Sequence, residues 1–205
     1  MSKSLKIAIL ALALAFAFES FSAAESPRFR YGVEWGYSAK VASSFQYTIY
    51  NSYGSRISDS QPLSPDYYTN AFVSADIALE FADYFAITLK AGYRGVAKDY
   101  RVMPVELQMA VFFKGYEKTG PYVFAGGGAA LYNWSLEDQI NLASAGAGMR
   151  HNLSRKISLD TFLKVNLIGC SPLPVDPYEG TIPREKTIYS RNGHLSFDLG
   201  IALNF

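Results

Sequence analysis

The clearest alternation of apolar and polar positions lies in the last segment of the chain, residues 191–205. Apolar residues occupy every second position from Leu195 to Phe205, and polar or very small residues fill the positions from His194 to Asn204. A period of two over a dozen residues predicts a β-strand that has one apolar face and one polar face.

The same period recurs in most of the chain. It predicts seven further strands, at residues 28–41, 71–81, 85–94, 105–114, 121–134, 139–151 and 156–167. In the fifth and sixth strands Gly and Ala occupy both faces, so the phase of these two is not defined. No stretch of comparable length carries an apolar stripe with a period of 3.6 residues. The pattern therefore predicts an all-β protein of eight strands.

The connections between these strands alternate in length. Tight turns are predicted at 82–84, 115–120 and 152–154, and long loops rich in Ser, Pro, Gly and Tyr at 41–69 and 169–191. Two other connections, near 96–99 and 135–138, are short. Short turns at one end and longer loops at the other are typical of transmembrane barrels, whose long loops are extracellular. We therefore expect an eight-stranded, antiparallel, up-and-down transmembrane β-barrel.

Alternation alone does not say which face lines the barrel, because a soluble lipocalin-like carrier has apolar residues inside. Three features favour a polar interior. The polar face carries nearly balanced charges, small residues lie between those charges, and aromatic residues on the apolar face gather at the strand ends, where membrane interfaces are expected. The predicted interior charges are Arg30, Lys40, Lys90, Arg94, Lys114, Lys156 and Lys164 with Glu34, Asp76, Glu80, Glu106, Asp160 and Asp198. The predicted aromatic girdles contain Tyr31, Tyr37, Phe81, Tyr93, Phe113 and Phe205.

The amino-terminal segment has the layout of a secretory signal peptide. Lys3 and Lys6 precede an apolar run at 7–18, and the small residues of 22–24 offer a cleavage site. We expect residues 1–24 to be removed and residues 25–205 to form the barrel domain. That domain carries 17 basic and 17 acidic residues, a balance that does not favour nucleic-acid binding. The single cysteine, Cys170, excludes an intramolecular disulfide and is interpreted as a small apolar filler; a reactive thiol is the alternative.

Two resemblances narrow the class. The terminal strand ending in Phe205 resembles the last strand of bacterial outer-membrane barrels, which implies recognition by the barrel-assembly machinery. Residues 101–107 and 120–128 resemble the small outer-membrane β-barrel proteins common in Bacteroidetes. The resemblance implies a location in the outer membrane of a Gram-negative bacterium, in contact with outer-membrane lipid and lipopolysaccharide. It implies a fold more than an activity.

Candidate chemistry is sparse. His194 and Ser196 share a face with Asp198 and resemble the His-x-Ser pair of the outer-membrane lipid A deacylase, but the strand phase points them inward and the flanking motif of that family is missing. Gly126 to Gly128 lack the Lys and Ser or Thr of a phosphate-binding loop and instead predict close strand approach. His151 and His194 lie near opposite ends, so no metal site is expected. We assign no catalytic, cofactor-binding or metal-binding residue.

The function expected is that of a non-enzymatic barrel, either an envelope scaffold or a binding protein that uses loops 41–69 and 169–191. Tyrosines in the first loop offer stacking surfaces for glycans or a partner, and prolines stiffen the second. These residues are Tyr47, Tyr50, Tyr53, Tyr67 and Tyr68, with Pro172, Pro174, Pro177 and Pro183. Narrow porin-like passage through the charged lumen, a lipocalin-like periplasmic carrier and a lipid hydrolase that uses His194 and Ser196 stay open as alternatives.

Overall fold

The computed structural model describes residues 28–51, 53–81, 83–97, 100–132, 135–154, 156–176 and 180–205. The predicted signal peptide, 1–24, lies outside these residues. The strands are β1 (Arg28–Tyr50), β2 (Arg56–Phe81), β3 (Phe85–Ala97), β4 (Tyr100–Phe112), β5 (Gly120–Tyr132), β6 (Ser135–Asn152), β7 (Ser158–Cys170), β8 (Val175–Asp176), β9 (Gly180–Thr181) and β10 (Thr187–Asn204). A single 3-10 turn at Arg184–Lys186 precedes β10.

Eight of these strands form one closed antiparallel barrel in the order β1-β10-β7-β6-β5-β4-β3-β2. β1 closes the ring because it pairs with β2 on one side and with β10 on the other, so that Gly36 lies between Phe72 and Gly200. The predicted eight-stranded up-and-down barrel is confirmed. The two short strands β8 and β9 pair with each other inside the last connection. Within the described ranges, no helix has the length and apolar character needed to cross a membrane.

The barrel has two unlike ends. At the turn end lie both ends of the barrel chain and the short connections that follow β2, β4 and β6. Asp83 and Gly115, with φ of 57° and 85°, provide the left-handed backbone that two of these tight turns require. The opposite end, which we call the rim, carries the β1–β2, β3–β4, β5–β6 and β7–β10 connections. Ala82 and residues 98–99, which were predicted to lie in connections, fall outside the described residues.

The largest correction concerns the predicted loop 41–69, of which residues 41–50 and 56–69 are strand. β1 and β2 stay paired as far as Tyr50 and Arg56, and β1 stays paired with β10 as far as Ile49 and Thr187. β3 and β7 stop short of this region, since β2 pairs with β3 only from Phe72 onward and β10 pairs with β7 only from Asn192 onward. A three-stranded sheet of residues 41–50, 56–71 and 187–191 therefore stands above the rim, and we call it the extension.

Two other predicted boundaries change at the rim. Residues 135–138, predicted as a turn, belong to β6. The predicted loop 169–191 shrinks to residues 171–186, because β7 continues to Cys170 and β10 begins at Thr187.

Candidate functional site: the lumen and the extension

The apolar faces of the strands point outward and the polar faces point into the lumen. On β7, Leu163 is 54% exposed whereas the neighbouring Lys164 is 2% exposed. The lipocalin-like alternative is therefore wrong, because it needs the opposite orientation. Most predicted girdle residues are on the exterior, but Phe81 is buried against Phe85, with ring centroids 6.1 Å apart.

The charges of the lumen are balanced. Among the described residues, the barrel interior holds six basic and six acidic side chains: Arg30, Lys40, Lys90, Arg94, Arg150, Lys164, Glu34, Asp76, Glu80, Glu106, Asp160 and Asp198. Two predicted members, Lys114 and Lys156, are exposed at the turn end instead. Arg150 was missed because the phase of the sixth strand was not defined.

Arg150 organises the network nearest the turn end. Its Nε and Nη2 donate to the two carboxylate oxygens of Asp160 at 2.9 and 2.8 Å, and its Nη1 donates to Glu80 at 2.8 Å. Glu80 also accepts a hydrogen bond from Nε of Arg30 at 2.7 Å, and Asn204 donates to Asp160 at 3.1 Å. A bidentate, fully buried arrangement of this kind fixes the side chains in one geometry.

A second network crosses the middle of the lumen around Lys164. Its Nζ lies 3.7 Å from Glu34, 3.8 Å from Glu106 and 3.7 Å from Asp198. Lys90 pairs with Glu34 at 2.6 Å, and Arg94 pairs with Asp198. Each buried charge in this layer therefore faces an opposite charge, which offsets the cost of removing it from water.

Aromatic rings fill the space between the two networks, which the sequence pattern did not predict. Phe72 and Phe162 face each other with centroids 6.3 Å apart, and Phe124 meets Phe162 edge-on at 6.2 Å. Gly200 makes room for them, since a Cβ there would lie 2.6 Å from the ring of Phe162. The predicted small residues of the polar face thus accommodate rings as well as charged chains.

An apolar cluster covers the charges on the rim side. It consists of Val96, Val102, Ala130, Ile140, Ile168 and Cys170. Cys170 is 2% exposed in this cluster, in agreement with the filler interpretation, and its Sγ lies 3.7 Å from Nε2 of His194.

His194 and Ser196, the candidate catalytic residues, are not hydrogen-bonded to each other. Nε2 of His194 faces Cys170, and Oγ of Ser196 has no hydrogen-bond partner among the described residues. Asp198 is fully buried and pairs with Arg94. Activation of a serine requires a base and an orienting carboxylate in hydrogen-bond contact, and these side chains lack that contact. Within the described residues, no group of three or more His, Cys, Asp or Glu side chains is arranged to hold a metal.

The lumen is filled. The cavities lined by its side chains measure about 30, 40 and 10 Å³. One water molecule needs roughly 10–15 Å³ by the same measure, so each of these spaces has room for at most a few waters. They are far smaller than a solute channel.

The extension presents aromatic side chains. Tyr53 at its tip is 92% exposed and Tyr67 on β2 is 79% exposed, while the rings of Phe45 and Tyr47 stack with centroids 6.0 Å apart. Four of the five tyrosines predicted to lie in a loop are therefore on strands, at positions 47, 50, 67 and 68.

A polar contact ties the base of the extension to the barrel. The carboxylate of Asp66 forms an ion pair with Nζ of Lys40 at 2.6 Å and accepts a hydrogen bond from Oγ of Ser43 at 2.7 Å. The hydrogen bonds from Lys40 and Ser43 lower the pKa of Asp66 below its usual value. Of the prolines predicted to stiffen the last connection, Pro172 accepts a hydrogen bond from Ser190 at 2.6 Å; Pro177 lies outside the described residues.

Comparison with solved structures agrees with this architecture. Neisserial surface protein A has a TM-score of 0.50 and 12% identity, covering 88% of this chain and all of its own. The chain has the fold of a small outer-membrane β-barrel. OprG from Pseudomonas aeruginosa (TM-score 0.46, 10% identity, 86% of this chain and 95% of its own) and Ail from Yersinia pestis (0.37, 13%, 87% and 99%) are also similar. No family model and no curated protein sequence matches this barrel.

Proposed function

We propose that this protein is a non-enzymatic outer-membrane barrel with a closed lumen, and that its function is to hold the extension outside the cell as a binding surface. The observation that carries this proposal is the contrast between the lumen and the extension. The lumen is filled by paired charges and rings, whereas the extension is rigidly paired, polar and rich in exposed tyrosine.

The filled lumen argues against porin-like passage. Its cavities measure only about 30, 40 and 10 Å³, and each is lined by buried charged or aromatic side chains. Moving a hydrated ion past these layers requires displacement of buried rings such as Phe162 and separation of pairs such as Lys90 with Glu34. We therefore propose a barrel that anchors and does not conduct.

The extension has the properties of a recognition surface. Its central strand, β1, is hydrogen-bonded on both sides, so its side chains are held in fixed positions. Tyrosine supplies a large contact area at low entropic cost and combines an apolar ring with a polar hydroxyl, which suits both glycans and protein partners.

The proposal that the barrel does not conduct is tested in planar lipid bilayers. The purified, folded barrel is expected to produce no stable current steps. A matched variant, Phe162→Ala with Phe124→Ala, removes part of the aromatic layer and shows whether passage can be created at all. Regular steps from the unmodified protein would overturn the closed-lumen proposal.

The binding proposal is tested by shortening the extension. Replacing residues 44–63 with Asn-Gly joins Ser43 to Ser64, which already pair with each other. Both proteins are checked for folding by heat-dependent gel migration and then applied to a printed array of glycans and to immobilised extracellular-matrix proteins. We expect a ligand bound by the full barrel and lost in the shortened one. Equal retention by both proteins, or rescue of an envelope-barrier defect by both, would favour the envelope-scaffold role instead.

We further propose that residues 1–24 direct export, that residues 25–205 form the exported barrel, and that the rim faces the cell exterior in a Gram-negative outer membrane. The closing strand supports recognition by the assembly machinery, because Phe205 lies beside Tyr31, to whose carbonyl its N–H donates at 2.8 Å, and its side chain is 52% exposed. The Bacteroidetes-type grouping is supported by segments 101–107 and 120–128, which lie on the adjacent strands β4 and β5. Lipopolysaccharide and outer-membrane lipid are the surroundings expected there.

A further inference from the structure

An open cleft of about 860 Å³ lies where the extension joins the rim. Its lining comes from consecutive residues of β1, β10, β7 and β6, together with the segment of β2 that bulges at Pro62 and Leu63. We call it the rim cleft. Its volume falls in the range of sites that hold a small organic ligand.

The floor of the rim cleft is on the outer face of the barrel. Along one row, Ser44 pairs with Gly193, Gly193 with Gly169, and Gly169 with Asn141. A Cβ on Gly193 would lie 2.8 Å from Oγ of Ser44, so both positions point to the same side. Gly169 follows the exposed Leu167 by two residues and shares its face. A Cβ on Gly169 would meet no atom within 4 Å, so the floor is open.

This row marks the end of the apolar exterior on four neighbouring strands. The residues two positions nearer the membrane on β10, β7 and β6 are Leu195, Leu167 and Ala143. Beyond the row the lining becomes polar, with Gln46 paired to Arg191. The rim cleft therefore has one apolar wall continuous with the lipid-facing surface and one polar wall facing away from it, an arrangement suited to a molecule with acyl chains and a polar headgroup.

Arg191 gives the polar wall its charge. It is exposed in the cleft lining and, within the part of the chain that the structure describes, it makes no ion pair or hydrogen bond through its side chain. The other polar side chains of the lining are amides and hydroxyls, including Gln46, Gln61 and Asn141, together with His194 and Cys170, which contact each other. A single unpaired guanidinium among hydrogen-bonding groups favours an anion that also offers hydroxyl or amide partners, and phosphate on a sugar meets both conditions.

We infer that the rim cleft binds the phosphorylated disaccharide headgroup of an outer-leaflet glycolipid, with one acyl chain lying along Leu167 and Leu195. This inference rests on the proposed outer-membrane location, but it is independent of what the extension binds. Arg191 pairs with a phosphate of the headgroup, and the absence of side chains at Gly169 and Gly193 lets the sugar approach the sheet.

The test is a titration of the full, folded barrel in mild detergent, followed by native mass spectrometry. The probes are lipid A, dephosphorylated lipid A and phosphatidylglycerol. We expect one lipid A molecule per barrel, and affinity reduced roughly ten- to a hundredfold by Arg191→Gln, as for loss of a hydrogen bond to a charged group. The matched control, Arg56→Gln, removes an exposed arginine at the tip of the extension and leaves the affinity unchanged.

A steric variant makes the test independent of charge. Gly169→Leu fills the floor of the rim cleft without a clash and is expected to abolish lipid A binding. The matched control, Ala91→Leu, adds the same side chain at an exposed position of β3 outside the cleft and retains binding. Heat-dependent gel migration checks that each variant folds. Equal affinity for dephosphorylated lipid A or phosphatidylglycerol, or equal losses in the two arginine variants, would overturn the inference. Ligand capture by the extension should be unchanged in Gly169→Leu, which separates failure of this inference from failure of the proposed function.

Discussion

Replacing Arg150 with Met tests whether the charge network holds the barrel together. The arginine side chain is 6% exposed, and its partners Glu80 and Asp160 are 1% and 7% exposed, so water screens these contacts little. In the variant, Glu80 keeps its pair with Arg30, whereas Asp160 keeps only the amide of Asn204. The variant therefore leaves one buried carboxylate without a cation.

Removing one partner of a buried ion pair costs about 3–5 kcal/mol. Because only Asp160 loses its cation, we expect the lower part of that range for Arg150→Met, about 3 kcal/mol. Adding Asp160→Asn removes the orphaned charge and should restore part of the stability, so the two changes should be strongly non-additive.

The measurement is reversible urea unfolding in lipid vesicles, followed by heat-dependent gel migration and tryptophan fluorescence. Lys114→Met is the control, because Lys114 is exposed at the turn end and its loss should change the free energy of unfolding by less than about 0.5 kcal/mol. A cost below about 1 kcal/mol for Arg150→Met, or strict additivity with Asp160→Asn, would refute the reasoning and indicate a lumen open to water.

Three further outcomes follow from the same structure. Leu163→Arg, on the lipid-facing side, should destabilise the inserted barrel by about 2–4 kcal/mol in vesicle refolding, whereas Leu153→Arg in a short turn should not. Gly200→Ala should cost about 1–3 kcal/mol in urea unfolding through its clash with Phe162, and Phe162→Leu should relieve part of it; an unchanged midpoint for Gly200→Ala would contradict the packing described. The pKa of Asp66 is lowered in the folded protein, so the stabilisation from its contacts with Lys40 and Ser43 is complete above the unfolded pKa and is lost as the pH falls through the folded pKa. Amide hydrogen exchange near the base of the extension should become faster as the pH falls through that range, and Asp66→Asn should remove this pH dependence.

The barrel strands could be predicted from sequence because each has one apolar side that points outward. Where a strand such as β7 alternates Leu163 and Val165 with Lys164 and Asn166, the difference between the outer and inner faces of the barrel imposes the period of two. In β6, Gly and Ala occupy both faces, so the sequence did not show which face carries Arg150. Its partner Asp160 was correctly predicted to face the lumen. Small residues fit either face, and pairing with neighbours is what sets their phase.

The extension could not be predicted for a related reason. Above the rim, β2 is exposed at every position from Arg56 to Leu63, so no apolar alternation is required there, and Ser and Gln suit both sides. Bulges between Lys40 and Ala42 on β1 and at Pro62 and Leu63 on β2 also change which positions share a face, so the period of two does not continue through them. The rim cleft depends on which residues of four strands share a row, and that information lies in the register and not in any one segment.

The sheet above the rim joins the first barrel strand to the last. Its middle strand, β1, pairs with β10, and these two strands meet only when the ring closes. A partly assembled barrel therefore cannot display the complete surface, whatever its β1–β2 hairpin does alone. Formation of the finished surface thus reports successful assembly, and a ligand or antibody that requires both strands would distinguish mature barrels from stalled intermediates.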